Sequence, residues 1–437
     1  MRSLLGRISQ QPDSLVVLPD RILTGASIVA GAKIWAKQLK LAGYNQNTIL
    51  LIDASKTPSF IYLLIACLWE GIPLLISEPK TLVDFKHLVP ESHPISNSIP
   101  GVMDEDGLPQ NIPSASKQST LPWGTSLILA SSGSLGTPKL YCLGATGIES
   151  CLRTHLPYLE VHGRSFLCTL PWHHCFGLIL DLLGALIGGA LLACPSKFDN
   201  ETIMNWIERY ELDSMNAVPL MPLRFMHSFG LGHWLRQCRG GILGGAGLSQ
   251  QLCQFLEGSQ FRIGYGMTEA SCGISLGEIG YLKPGYLGKP IGCDVKICDG
   301  RLSFLGQNLA LGTIDSYSVK PIPQTWHVTQ DMVFEDHNGL WFRGRSDHSF
   351  KLANGKLVHP EALENQLMHQ LKAIDQAIIT EYDSGFIQIR VSGFLTQTEV
   401  LDAMGELKPY VKKILTNSDI PLDHKGAKVR ERLTICD

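Results

Sequence analysis

Nine residues, Ser131 to Lys139, read SSGSLGTPK and follow the apolar run SLILA. Gly133 and Gly136 let the backbone approach a ligand and take positive φ. The hydroxyls of Ser131, Ser132, Ser134 and Thr137, together with free backbone N–H groups, suit phosphate oxygens, and Lys139 adds a cation. The pattern GxxxxGK[ST] is absent, so this is not a Walker A loop; a Ser/Gly turn is the plainer alternative. A second segment, GGAGLS (244–249), precedes GYGMTEA (264–270). Tyr265 is an amphipathic ring that can stack on a base, Thr268 offers a hydroxyl, and Glu269 is a hard carboxylate ligand for Mg²⁺. In a third segment, Val328 to Glu364, Asp331 can accept two ribose hydroxyls and Arg345 can donate through its planar fork. The fourth is a basic tail, PLDHKGAKVRERL (421–433).

The elements that must position these residues alternate between strand and helix signals. Thr24 can cap a helix with apolar positions Ile28, Ala32, Trp35 and Leu39. The strand TILLID (48–53), a helix opened by Pro58 and ended by Gly71, and the strand PLLIS (73–77) make a βαβ unit and imply a parallel sheet. SLILAS (126–131), SFLCTLP (165–171), ALLAC (190–194), SMNAVP (214–219), GGILGG (240–245) and FRIGYG (261–266) continue the strand series. From about 275 to 345 short β segments with Gly and Pro turns take over, and a small unit follows Arg345: a helix from Pro360, a hairpin, and a helix around 397–414. Gly177 to Cys194 is apolar, but Asp181 interrupts it and Pro195 follows; it reads as a buried helix running into a buried strand and not as a membrane span.

Composition narrows the function classes. The chain has 437 residues, 44% hydrophobic and 18% charged, which excludes intrinsic disorder. A formal net charge of −3 provides no basic field for nucleic acid. The twelve cysteines form no CxxC pair and read as free, mostly buried thiols in a reducing compartment. The N-terminus lacks a signal-peptide pattern, so a cytoplasmic location is expected.

Taken in order, the four segments resemble the adenylate-forming superfamily, which includes acyl- and aryl-CoA synthetases, peptide-synthetase adenylation domains and luciferases. The resemblance runs from the helix near residue 25 to Leu433. It implies an α/β fold: a large N-terminal domain of stacked α/β sheets with a β-barrel-like part (1–346), plus a small mobile α+β C-terminal domain (347–437). It also implies two reactions. A carboxylate attacks the α-phosphate of ATP, giving an acyl-adenylate and pyrophosphate; a thiol then displaces AMP. By the same resemblance, Ser131 to Lys139 would hold the β- and γ-phosphates. Gly245 and Ala246 would flank the adenine, with Tyr265 stacked on it and Gly266 beside it. Thr268 would touch the α-phosphate, and Glu269 would hold Mg²⁺. Asp331 and Arg345 would bind ribose, Asp347 would be the hinge, and Lys428 the mobile lysine of adenylation.

The chain departs from the family pattern at four places. Gln330 stands where Gly is usual, Thr313 stands where Tyr is common, the C-terminal unit is short, and the tail reads GAK. Lys425 is therefore a rival to Lys428, which is preferred because AKVRERL keeps Lys two residues ahead of Arg430.

PWHHCFG (171–177) resembles the acid-binding segment of acyl- and aryl-acid ligases and maps His174 near the substrate carboxylate. Adjacent histidines on a strand point to opposite faces, which disfavours a His173–His174 metal pair. No Asp directly follows to hold an amino group, so a simple acid is expected; Phe176, Leu178 and Leu180 suit a fatty or aryl acid, or plain core. The thiol is coenzyme A or a carrier-protein phosphopantetheine, which Lys408, Lys412 and Lys413 could meet, unless they are a solvated helix face. A non-catalytic nucleotide-binding protein on the same fold is the competing class. Expected partners are a small carboxylic acid and CoA or acyl carrier protein; nucleic acid and membrane insertion are not expected.

Overall fold

Strands form where branched and leucine residues run unbroken. Leu50–Asp53 and Leu74–Ser77 are buried along their length and pair in parallel, as buried parallel strands do. The helix that crosses between them, Pro58–Glu70, is opened by the Thr57 hydroxyl accepting from Phe60 N with Pro58 in the first turn, and closed by Gly71 at φ 71°. It is apolar nearly all round because protein covers it on every side. The computed structural model describes residues 1–11, 15–78, 81, 84, 89, 91–94, 103–110, 112–115, 120–131, 139–227, 230–315, 318–371, 373–374, 376–382, 385–420 and 428.

Leu74–Ser77 also pairs in parallel with Thr125–Ser131, which turns back as Lys139–Gly144 with Ser131 opposite Lys139. These strands belong to a seven-stranded sheet. A four-stranded sheet holds Val16–Val17, Leu191–Ala193 and Ser165–Leu167. One core spans both sheets and takes in the helices Gly25–Leu41, Pro58–Glu70 and Ala145–Leu159. Gly177 to Cys194 is a π-helix over Phe176–Leu183, an α-turn over Gly184–Gly188 and then the strand Leu191–Ala193. No helix among the described residues is long and apolar enough to cross a membrane.

An eight-stranded sheet starts with the parallel pair Gly241–Gly244 and Phe261–Tyr265 and continues antiparallel through Tyr286–Pro290, Gly339–Arg345, His327–Asp336 and Arg301–Leu305. The short β segments expected between 275 and 345 mostly extend this sheet; Gly312–Asp315 and Ser318–Pro321 join the seven-stranded one. Beyond Arg345, residues between Phe350 and Leu407 enclose a hydrophobic core of their own, including Leu367, Ile379, Ile389 and Val400.

Three local expectations are corrected. SMNAVP contributes isolated bridges at Ser214 and Ala217, not a strand. The helix expected over 397–414 stops at Ala403; Gly405, at φ 53°, and Pro409 break it, and Val411–Leu415 instead pairs in parallel with Phe386–Ser392. His173 and His174 lie in a turn, so their rings meet at 4.2 Å instead of facing opposite ways.

Candidate active site

The two parallel strands of the eight-stranded sheet end side by side, with Gly244 opposite Gly264. Ligands of open α/β sheets bind at such carboxyl ends. A Cβ on Gly244 would lie 2.5 Å from the Gly264 carbonyl oxygen, so the backbones approach as only glycine permits. Gly245 follows at φ 82°, with Ala246 next to it. After Tyr265 the chain folds back so tightly that a Cβ on Gly266 would fall 1.6 Å from the Cys272 carbonyl oxygen. Thr268–Ala270 is a single 3₁₀ turn, and Ser271 and Cys272 take positive φ values of 47° and 100°. Non-glycine residues hold such angles only where their surroundings enforce them. Here Ala310 N donates to Glu269 O at 2.7 Å and Cys272 N to Met267 O at 3.2 Å. Thr268 and Glu269 thus stand on a fixed, strained turn.

Across the sheet, register places Asp331 opposite Arg345. Tyr265 donates its hydroxyl to Asp331 Oδ2 at 2.6 Å, and Arg345 Nη1 donates to Oδ1 at 3.0 Å. Asp331 is 7% exposed. Burial pushes its carboxyl above the ordinary range, even with the Tyr265 hydrogen bond and the Arg345 charge pulling the other way. The rest of the Arg345 fork grips Asp347, Nε to Oδ1 at 2.9 Å and Nη2 to Oδ2 at 2.8 Å. Burial acts to lower the guanidinium, but Asp347 and Asp331 outweigh it and keep it charged. Gln330 is tied to the same stretch: Ser346 Oγ donates to Gln330 Oε1 at 2.5 Å, and Ser346 N to Gln330 O at 2.8 Å. The amide that replaces the usual glycine thus cross-links Gln330 to the residue before Asp347.

Glu269 lies within electrostatic reach of Asp331 and Tyr265. Tyr141 is held above its ordinary range first by burial and then by the charge and hydrogen bond of Glu269. His327 is lowered by burial, with Glu269 opposing and Lys139 assisting. Lys139 Nζ stands 5.4 Å from the Tyr141 ring centroid. The structure therefore brings together Lys139, Glu269, Tyr265, Asp331 and Arg345, and adds Tyr141 and His327. No sequence motif pointed to those two. For Tyr141 a signal existed: residues two apart on a strand share a face, and Tyr141 is two beyond Lys139. Ser131 sits at the same strand end as Lys139. Ser132, Gly133, Ser134, Gly136 and Thr137 lie outside the described residues.

The histidine segment meets the turn through Cys175, whose Sγ is 3.8 Å from Thr268 Oγ1. His174 O accepts from Leu178 N at 2.9 Å, and Gly177 packs where a Cβ would come 2.3 Å from Pro171 O. Leu178 and Leu180 are buried in the main core, with Phe176 half-buried against it. Asp181 is 1% exposed and accepts from Asn216 Nδ2 at 3.0 Å. Lys428 Nζ lies 2.8 Å from Glu364 Oε2, a carboxylate whose other oxygen accepts from Ile379 N at 2.8 Å. Lys425 falls outside the described residues. The described residues contain no group of three or more His, Cys, Asp or Glu placed to hold a metal, and their cysteines are free thiols.

The profile of the family described as AMP-binding enzyme matches residues 74–312. The chain belongs to that family. Similar AMP-binding relatives include 4-coumarate–CoA ligase-like 2 of Arabidopsis thaliana, 23% identical over 398 residues (82% of this chain, 69% of the relative). A probable CoA ligase of Humulus lupulus is 24% identical over 354 residues (71% of this chain, 63% of the relative). The chain spans about two thirds of the length of these curated relatives. Among solved structures, o-succinylbenzoate CoA synthetase of Bacillus subtilis with its acyl-adenylate has a TM-score of 0.78 at 18% identity, covering 100% of this chain and 99% of that one. ATP-bound MatB of Rhodopseudomonas palustris has a TM-score of 0.81 at 18% identity, covering 99% and 98%. The AMP-binding fold is thus matched along its whole length.

Proposed function

We propose that the chain activates a carboxylic acid with ATP and passes the acyl group to the thiol of coenzyme A. The observation that carries this reading is the buttressed carboxylate of Asp331, clamped by Tyr265 and Arg345 and within electrostatic reach of Glu269 on the glycine-enforced turn. A carboxylate fixed by two donors presents its remaining lone pairs in one direction, which suits the paired hydroxyls of a ribose. Tyr265 keeps its ring for the adenine, flanked by Gly245, Ala246 and Gly266. Lys139 and Ser131, at the two ends of the Ser/Gly segment, face the outer phosphates.

In the first reaction the acid's oxygen bonds to the α-phosphorus and the bond to pyrophosphate breaks. Positioning and charge neutralisation dominate such a step. Thr268 reaches the α-phosphate and His174 the acid's carboxylate. Glu269 is the carboxylate that would hold Mg²⁺, which when bound neutralises phosphate charge. The donor set fits, since Mg²⁺ is usually bound through one or two carboxylates plus substrate phosphates and water, not in an all-protein cage. In the second reaction the thiol attacks the acyl carbon and AMP leaves. The acid is fatty or aryl, because the segment after His174 is apolar and the first Asp that follows it in the chain, Asp181, is occupied with Asn216. Residues 1–346 and 347–437 act as two units about Asp347. The separate core beyond Phe350 supports that division, and Lys428 serves the first reaction. The names of the relatives support CoA as acceptor, and the free thiols fit the cytoplasm.

The test is pyrophosphate release with ATP and Mg²⁺ across a panel of fatty and aryl acids, followed by acceptor assays with CoA and with a phosphopantetheinylated carrier. Acid-dependent pyrophosphate release and thioester formation on CoA are expected. ATP binding without acid-dependent release under any acid would leave a nucleotide-binding protein and end the proposal; transfer to the carrier alone would overturn the CoA acceptor.

A further inference from the structure

Lys56 meets a thiol. Its Nζ lies 3.2 Å from Cys168 Sγ and 3.3 Å from the Cys168 carbonyl oxygen. The rings of Trp172 and Phe198 stand 5.8 and 6.0 Å from the same ammonium. Cys168 and Cys194 are 0% and 1% exposed, while Lys56 is half-buried. The strands leading to the two cysteines are parallel, with Leu167 paired to Ala193, and Cys168 N donates to Ala193 O at 2.8 Å. Cys168 and Cys194 are therefore the next pair in register, with side chains on one face. Neighbouring strands run about 4.8 Å apart, within the Cα separation of roughly 4.4–6.8 Å that a disulfide spans.

The electrostatics of the cluster single out one sulfur. Burial alone raises a thiol, as it does at Cys67. Burial acts the same way at Cys168, but the hydrogen bond from Cys194 and the Lys56 ammonium outweigh it and hold the thiol low. Asp181 does not compete for the lysine as an anion, because burial pushes its carboxyl well above the ordinary range. Cys194 is raised, first by burial, and stays a thiol. The cluster thus pairs one thiolate, the nucleophilic form of cysteine, with one neighbouring thiol.

We propose that Cys168 and Cys194 form a redox modification site, with Lys56 stabilising the reactive thiolate and a peroxide as the oxidant. The Cys168 sulfur attacks one peroxide oxygen; an S–O bond forms, the O–O bond breaks, and the leaving oxygen takes up a proton as water. The Cys194 sulfur then attacks the resulting sulfenic acid. An S–S bond forms, the S–O bond breaks, and hydroxide leaves with the Cys194 proton as a second water. Two thiols lose two electrons, and one hydrogen peroxide becomes two waters. The disulfide removes the anion facing Lys56. It also staples the strand end that runs through Trp172 to His174, at the root of the segment that meets Thr268.

The experiment treats the reduced full-length protein with hydrogen peroxide, blocks remaining thiols by alkylation under denaturing conditions, and maps the peptides by mass spectrometry. The expected product is a Cys168–Cys194 cross-link lacking two hydrogens and reversed by a thiol reductant. Lys56→Met, which keeps the stem and removes the charge, should slow its appearance by at least about tenfold, since the thiolate fraction falls further than nucleophilicity rises. Cys194→Ala should leave Cys168 as sulfenic or sulfinic acid. A Lys56–Cys168 cross-link that gains one oxygen and loses two hydrogens would overturn the assignment of Cys194 as the resolving group. Cys168 and Cys194 both recovered as alkylated thiols, under conditions that oxidise the more exposed Cys175, would overturn the site. That wild-type map decides the matter even where a variant fails to fold.

Discussion

Tyr265→Phe separates two jobs that one residue carries. The substitution keeps a ring for the adenine and deletes only the hydroxyl that donates to Asp331 Oδ2 at 2.6 Å. If stacking were the whole role, the variant would bind ATP as well as the wild type. The structure predicts otherwise, because Asp331 is 7% exposed and water cannot readily replace the lost donor. A hydrogen bond to a charged group contributes roughly 1.5–3 kcal/mol net. Arg345 still holds the other oxygen at 3.0 Å, so the lower half of that range applies. At 1.4 kcal/mol per tenfold, an ATP dissociation constant raised by about 10- to 40-fold is expected. The sign with pH follows as well. The Tyr265 hydrogen bond pulls the Asp331 carboxyl down against burial, so its loss lets the carboxyl rise further. The variant's acceptor then protonates sooner as pH falls, so the gap from wild type should be wider at an acidic than at a neutral pH. Calorimetric titration of Mg·ATP into acid-free protein at both pH values measures this without knowledge of the acid. Unchanged affinity at both would refute the claim that the hydroxyl orients Asp331 for ligand. A lower melting temperature with unchanged affinity would reduce it to a structural bond.

Gly266→Ala places a methyl 1.6 Å from the Cys272 carbonyl oxygen. The turn must open, and pyrophosphate release should fall about 100-fold, the scale of misplacing reacting groups by an ångström, while circular dichroism shows the fold retained. Asp181→Asn should stabilise the protein at alkaline pH. The raised carboxyl contributes stability that is full below its unfolded value and lost as pH rises through its folded value, so a melting-temperature gain should grow from about pH 5 to about pH 8; a gain that shrinks over that range would mean the carboxyl is not raised. Lys428→Ala should cut adenylate formation on the order of 10²–10³-fold while thioester formation from supplied acyl-adenylate persists; equal loss in both half-reactions would remove the lysine's separate role.

How much could be read in advance depended on whether a residue's job is local. The Thr24 cap, the Pro58 start and the Gly71 stop act within one turn, and each is where the sequence indicates; the Thr57 cap, just as local, goes unread. Asp331 facing Arg345 is nearly as local. His337 and Asn338 turn the hairpin between Asp336 and Gly339, and the pair lies in register across it. Bonds between distant segments leave no such trace. Tyr265 and Asp331 are 66 residues apart, and nothing in GYGMTEA announces that the ring's hydroxyl rather than its face is engaged within the protein. Gln330 looked like a defect in a glycine position, and only the fold gives its amide a partner in Ser346. The helix expected over 397–414 failed for a different reason. Its apolar spacing is helical at first, but Gly405 and Pro409 interrupt it, and the edge of Phe386–Ser392 then offers a strand ladder that the local pattern cannot foresee.

Lys428 shows what such a long-range partner implies for a proposed mechanism. Glu364 is 1% exposed, and Ile379 N and the lysine are among its partners. Removing one partner from a buried ion pair costs about 3–5 kcal/mol, because the remaining charge stays in a poor solvent. To serve the first reaction Lys428 must leave Glu364, and only another concentrated anion offsets that departure. A nucleotide polyphosphate is such an anion; an uncharged ligand is not. The equilibrium position of the lysine is then set by the difference between two anionic partners and not by its affinity for either. The structure pairs the lysine with Glu364. In the proposed first reaction ATP would shift the balance, and once pyrophosphate departs the remaining phosphate charge would be smaller and the buried carboxylate would regain the lysine. The Lys428–Glu364 ion pair would then make engagement of the lysine depend on the presence of the substrate it is proposed to neutralise.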